Sequence, residues 1–111
     1  MSIIPTRPSN ILARLGTRVN LRHFLPGKKI HFTTEDGKMW RLARTWRSRI
    51  KHAPISWGDK ITHVKVTSRD QSGTIYTGQY DTMAYITVGH TFYMWDQDGH
   101  PVITDRVISI N

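Results

Sequence analysis

KITHVKVTSRDQSGTIYTGQYDTMAYITVGHTFYMWDQDGHPVITDRVISI, residues 60 to 110, decides the fold. Within it KITHVKVTS, TIYTGQY, MAYITVG, TFYMWD and PVITDRVISI are dense in Val, Ile, Thr, Tyr, Phe and Trp. Such side chains fit a pleated surface. Between these runs lie RDQSG, Asp81-Thr82, Gly89-His90 and QDGH, whose residues tolerate turn geometry or hydrogen-bond their own backbone. Short strands at close spacing predict a small sheet closed on itself.

Working outward, KIHFTT and KMWRLAR flank Glu35-Asp36-Gly37 and read as a hairpin, because an Asp-Gly pair supplies the positive φ of a tight turn. Ile30 and Phe32 alternate with His31 and Thr33, and Trp40 and Leu42 with Met39, Arg41 and Ala43. One face of the hairpin is therefore expected to be core and the other charged. Residues 45 to 59, TWRSRIKHAPISWGD, have no sustained period and read as a long loop. Pro5 and Pro8 favour an extended course at the start. Ser9 or Asn10 could cap a short helix with Ile11, Leu12, Leu15 and Val19 on one side, although Gly16 costs such a helix about 1 kcal/mol. The expected architecture is all-β: a barrel or roll of about six or seven antiparallel strands, SH3-like or OB-like, over residues 25–111. A basic arm, extended or partly helical, occupies residues 1–24.

Length and composition fit this picture. A chain of 111 residues, 38% hydrophobic and 22% charged, is sized for one domain with a modest core. With no cysteine, neither a disulfide nor a Cys-ligated zinc can hold it together. No stretch is long and apolar enough for a secretory h-region or a membrane span, so the expected location is the cytoplasm or the inside of a virus particle.

Charge is unevenly spread. Residues 1–51 hold twelve Lys and Arg against Glu35 and Asp36, a net of +10; residues 52–111 hold four against six aspartates, a net of −2. This segregation predicts that the first half meets an anionic surface. MWRLARTWRSRIK, residues 39–51, interleaves Arg41, Arg44, Arg47, Arg49 and Lys51 with Trp40 and Trp46. Guanidinium groups bind phosphates in a bidentate manner, and an exposed indole stacks on unpaired bases. Trp40 falls at a core position of its strand, which leaves Trp46 as the exposed ring. Arg14, Arg18 and Arg22 recur every four residues in the arm, and Lys28-Lys29 follow the Pro26-Gly27 break. These residues form the candidate partner-binding set.

Other constellations carry less. Asp96, Asp98, Gly99 and His100 resemble the opening of a calcium loop but lack its glycine spacing and closing Glu, and a turn explains them. The six histidines show no metal-ligand spacing. Glu35, the sole glutamate, sits in a tight turn and makes a poor general base. Tyr76, Tyr80, Tyr85, Phe92 and Tyr93 are expected to pack across strands rather than to form a ligand platform. No catalytic residue, metal or cofactor is implied. The expected function is a non-enzymatic binding and assembly module, docking its Arg/Trp stretch on an anionic partner, foremost a nucleic-acid backbone and otherwise an acidic protein surface, and its arm on a neighbouring subunit. Two other readings stand beside it: a structural protein of a virus or phage particle (connector, decoration or tail component), and a small nuclease or toxin.

Overall fold

A computed structural model describes residues 14–45 and 61–111. Along the chain it contains β1 (Arg18–Asn20), a 3-10 turn (Leu21–His23), β2 (Lys29–Thr34), β3 (Met39–Arg44), β4 (Ile61–Arg69) and β5 (Ile75–Met83). There follow β6 (Tyr85–Thr87), β7 (Tyr93–Trp95), β8 (Pro101–Ile103) and β9 (Val107–Ile110). Seven strands form one curled antiparallel sheet in the order β8-β7-β5-β4-β3-β2-β9, a half-barrel. β1 and β6 make a separate two-stranded sheet.

The β2–β3 hairpin forms as its sequence dictates. Gly37 holds φ +84 in the turn, a conformation that costs a residue with a Cβ. Asp36 Oδ1 accepts the Thr34 hydroxyl at 2.5 Å and the Lys38 N–H at 3.2 Å. The Thr34 hydroxyl oxygen in turn accepts the buried Trp40 indole N–H at 3.0 Å. A polar group sunk in the core is thereby satisfied through a relay that ends at the surface. The Gln71 amide, from the next hairpin turn, donates to the Asp36 carbonyl at 3.0 Å and joins the two turns.

Alternation along the strands sets the core. Ile30, Phe32, Trp40, Leu42, Val64 and Val66 point to one side of the sheet and are buried, together with Met94, Val107 and Ile110. Phe32 stacks on Trp40 with centroids 5.8 Å apart and meets Phe92 edge-on at 5.7 Å. The two-stranded sheet closes over this core. At Ala84 the chain leaves the large sheet, and the Ala84 carbonyl accepts the Leu21 N–H at 2.7 Å, which seats the buried Leu21 side chain in the cluster.

Three expectations give way here. Residues 14–24 hold no α-helix: Gly16 takes φ +84, Arg18–Asn20 pair with Tyr85–Thr87, and Asn20 caps only a single 3-10 turn by accepting the Arg22 N–H. A distant strand offers these backbone groups better partners than an isolated turn of helix interrupted by glycine. Asp81-Thr82 is not a turn. Both residues are buried inside β5, where Asp81 lies opposite His63 and the Thr82 hydroxyl donates to the Met83 carbonyl. PVITDRVISI is two strands rather than one, because the Thr104 hydroxyl accepts the Phe92 N–H at 3.0 Å and donates to the Asp105 carbonyl at 2.7 Å. Those bonds turn the chain between β8 and β9. Residues 1–13 and 46–60, which carry most of the expected arm and loop, lie outside the described residues.

Candidate anion-binding face

The face of the large sheet turned away from the core is built by β2, β3, β4 and β5, and register assigns its residues. Lys29 lies opposite Ala43, and Ala43 opposite Lys65, which faces Gln79. His31 lies opposite Arg41, Arg41 opposite Thr67, and Thr67 opposite Thr77. Thr33, Met39, Arg69 and Ile75 form the third row. Directly paired residues share a face. Lys29, Arg41, Lys65 and Arg69 therefore stand on one surface, with His31 among them, and all five are exposed. Strand geometry puts Arg41 about 8 Å from Lys65, and Lys65 about 13 Å from Arg69, between Cα positions.

Among the described residues none of these cations is ion-paired: the pairs are His63 with Asp81, His100 with Asp96 and Arg106 with Glu35. The reason lies in what the acids do. Asp70 Oδ1 accepts the Ser72 and Thr74 N–H groups, each at 3.0 Å, and the Ser72 hydroxyl, which holds its carboxyl below the ordinary range. Asp36 is lowered in the same way, first by the Thr34 hydroxyl. Asp96 Oδ1 accepts the Asp98 and His100 N–H groups at 2.9 and 2.8 Å. Asp105 accepts the Arg106 N–H at 2.9 Å. Turn chemistry holds these carboxylates at loop ends, while the strand faces keep the cations. Asp81, 1% exposed, is held by the His63 imidazole across the ladder.

A groove of about 360 Å³ runs over this face between His31, Met39, Arg41, Thr67, Arg69 and Ile75. Met39 and Ile75 are largely exposed and give it an apolar flank. Donors for phosphate oxygens and a surface for a base or ring therefore lie side by side.

The sequence-derived candidates are divided by the structure. Arg41 and Lys29 belong to the face, and Lys28 is exposed where the chain enters β2. Arg44 does not join them. It lies three residues from Arg41, on the opposite side of the strand, and its guanidinium donates to the carbonyls of Arg22, at 2.9 Å, and Phe24. Arg14, Arg18 and Arg22 sit on or beside the two-stranded sheet; Arg18 covers the Tyr85 ring at 4.4 Å. Trp46, Arg47, Arg49 and Lys51 lie outside the described residues. Lys65 and Arg69 were missed. Their signal was the alternation of KITHVKVTSR, hidden by summing charge along the chain.

The tyrosines are dispersed. Tyr93 leans on Trp95 at 6.1 Å. Tyr76 and Tyr80 line a smaller cleft of about 220 Å³ with Trp40 on the core side, and Lys38 Nζ lies 5.1 Å from the Trp40 ring and 5.9 Å from the Tyr76 ring. That cleft is engaged by the protein's own cation. Asp96, Asp98 and His100 bring one ligand atom each within 4.8 Å of the others, an arrangement their shared turn accounts for. Among the described residues no helix is long and apolar enough to cross a membrane.

No protein-family model matches the chain, and neither the curated proteins nor the solved structures contain a significant match to it.

Proposed function

We propose that the chain is a non-enzymatic binding module whose outer sheet face takes the phosphate backbone of a nucleic acid. The observation that carries this reading is the set Lys29, Arg41, Lys65 and Arg69, exposed on three adjacent strands and unpaired with any carboxylate among the described residues. In this reading Arg41 and Arg69 grip phosphate oxygens in a bidentate manner, Lys29 and Lys65 act as point charges, and Thr67 and Thr77 add hydroxyl donors. Met39 and Ile75 carry the apolar side of an unpaired base. The net charge of +8 steers a polyanion toward the protein from a distance.

The test is a salt titration with a fluorescent single-stranded oligonucleotide of mixed sequence. Four neutralised phosphates give a slope of log K against log salt on the order of −3. Reversing Arg41 and Arg69 to Glu removes binding and leaves the circular dichroism spectrum unchanged. Absence of binding at low ionic strength, or equal binding by the reversed variant, overturns the proposal.

A further inference from the structure

We infer that the cleft between Trp40, Tyr76 and Tyr80 takes a methylated ammonium group, in the place that Lys38 now holds. Register and parity build this site on the core side of the sheet, away from Lys29, Arg41, Lys65 and Arg69. Trp40 of β3 lies opposite Ser68 of β4, and Ser68 opposite Tyr76 of β5, so two rings flank one short, buried side chain. Tyr80 supplies a third aromatic wall. A Cβ at Gly78 would stand 3.0 Å from the Tyr80 ring, so glycine there lets that ring lie across the strand. Val66 and Val102 add apolar lining.

The protein's own cation shows what these rings attract. Lys38 Nζ lies 5.1 Å from the centroid of Trp40 and 5.9 Å from that of Tyr76, within reach of both ring faces. An unmethylated ammonium is strongly hydrated and gives up its water reluctantly. Methyl groups spread the charge and add apolar contact, which is why aromatic cages favour the methylated forms. The cleft measures about 220 Å³; since about 150 Å³ accommodates a benzene ring, a trimethylammonium head fits, and the flexible Lys38 stem is free to turn out to solvent. Charge at the rim also suits a cation. Asp36 and Asp70, lowered first by the Thr34 and Ser72 hydroxyls, are lowered further by the Lys38 ammonium, so both carboxylates stand within its electrostatic reach. On the other side a groove lined by Gln79, Asp96 and Asp98 adjoins the cleft at Gly78 and Tyr80. Among the described residues Lys38 is the one cation that lines either hollow.

The inference stands apart from the nucleic-acid reading, because the cleft and the cationic face lie on opposite sides of the sheet and the test contains no nucleic acid. Choline, and an otherwise uncharged short peptide bearing one trimethyllysine, are titrated at constant ionic strength into the protein and into Lys38→Ala, with amide and indole N–H shifts as the readout. Expected are saturable shifts at Trp40, Tyr76 and Gly78, binding at least about fivefold tighter to Lys38→Ala, and binding at least about fivefold weaker for neutral analogues in which carbon replaces the charged nitrogen. Tyr76→Ala removes the binding; that ring is 57% exposed, so its loss leaves the buried core untouched. Tighter binding of the peptide identifies a protein as the source of the group, and tighter binding of choline a free small molecule. No saturable shift in Lys38→Ala overturns the inference. So does equal binding of the neutral analogues, which marks an apolar cleft only, or binding that Tyr76→Ala leaves unchanged.

Discussion

Arg41 and Arg44 are the same residue type on the same strand, and they do opposite things. Arg41 is exposed on the outer face beside His31 and Thr67, and among the described residues it is in no ion pair. Arg44 turns inward and spends its guanidinium on two backbone carbonyls at the exit of the 3-10 turn, fastening that turn to β3. Strand parity alone separates them. A basic residue in a β protein acquires its role from which side of the pleat it occupies, and a count of charges along the sequence does not see that side.

The contrast between inner and outer faces can be broken at several depths. Phe32→Ala strikes the inner face at its centre, where the ring is 1% exposed and packs on both Trp40 and Phe92. It should cost about 3–5 kcal/mol, a large share of a small domain's stability, read by urea unfolding. Arg44→Ala leaves the carbonyls of Arg22 and Phe24 without their donor and should cost about 1–3 kcal/mol, with the salt slope of oligonucleotide binding unchanged. Arg41→Ala should do the reverse: stability stays within about 0.5 kcal/mol, while the salt slope falls by about 0.7 for a single strand. Arg69→Ala should match it. If Arg44→Ala lowers the slope and Arg41→Ala does not, the assignment of the two faces is wrong.

The smallest effect belongs to Asp36. Its carboxyl is held below the ordinary 3.8, chiefly by the Thr34 hydroxyl. The folded state thus binds fewer protons than the unfolded one, so the contribution is present above pH 3.8 and is lost as pH falls through the lowered value. Asp36→Asn should flatten that part of the acid-unfolding curve, modestly, because the carboxylate is largely in solvent. An unchanged acid limb would show that the turn does not depend on the charge.

Much of the fold was legible because it rests on local signals. KIHFTT is β2 to the residue, and the Asp-Gly turn stands where the sequence places it. What failed rests on partners far along the chain. Asp81 belongs in a turn by composition, yet a buried carboxylate is acceptable inside a strand when an imidazole stands directly opposite, and His63 is eighteen residues away. Arg18–Asn20 became a strand only because Tyr85–Thr87 came to meet it. The site was half legible for the same reason. Arg41 and Lys29 share a hairpin that the sequence announces, whereas Lys65 and Arg69 join them through a β3–β4 register that no local pattern encodes. The negative sum over the second half misled because its aspartates at 70, 96 and 105 are turn residues, held away from the sheet face.

The bond from the Trp40 indole to Thr34, and from Thr34 to Asp36, has a practical consequence. An indole 7% exposed to water is wired to a carboxylate in the solvent. Protonating the carboxylate at the tip of that hairpin should therefore shift the emission of this ring, a shift that Asp36→Asn removes while the signal of the other tryptophans stays.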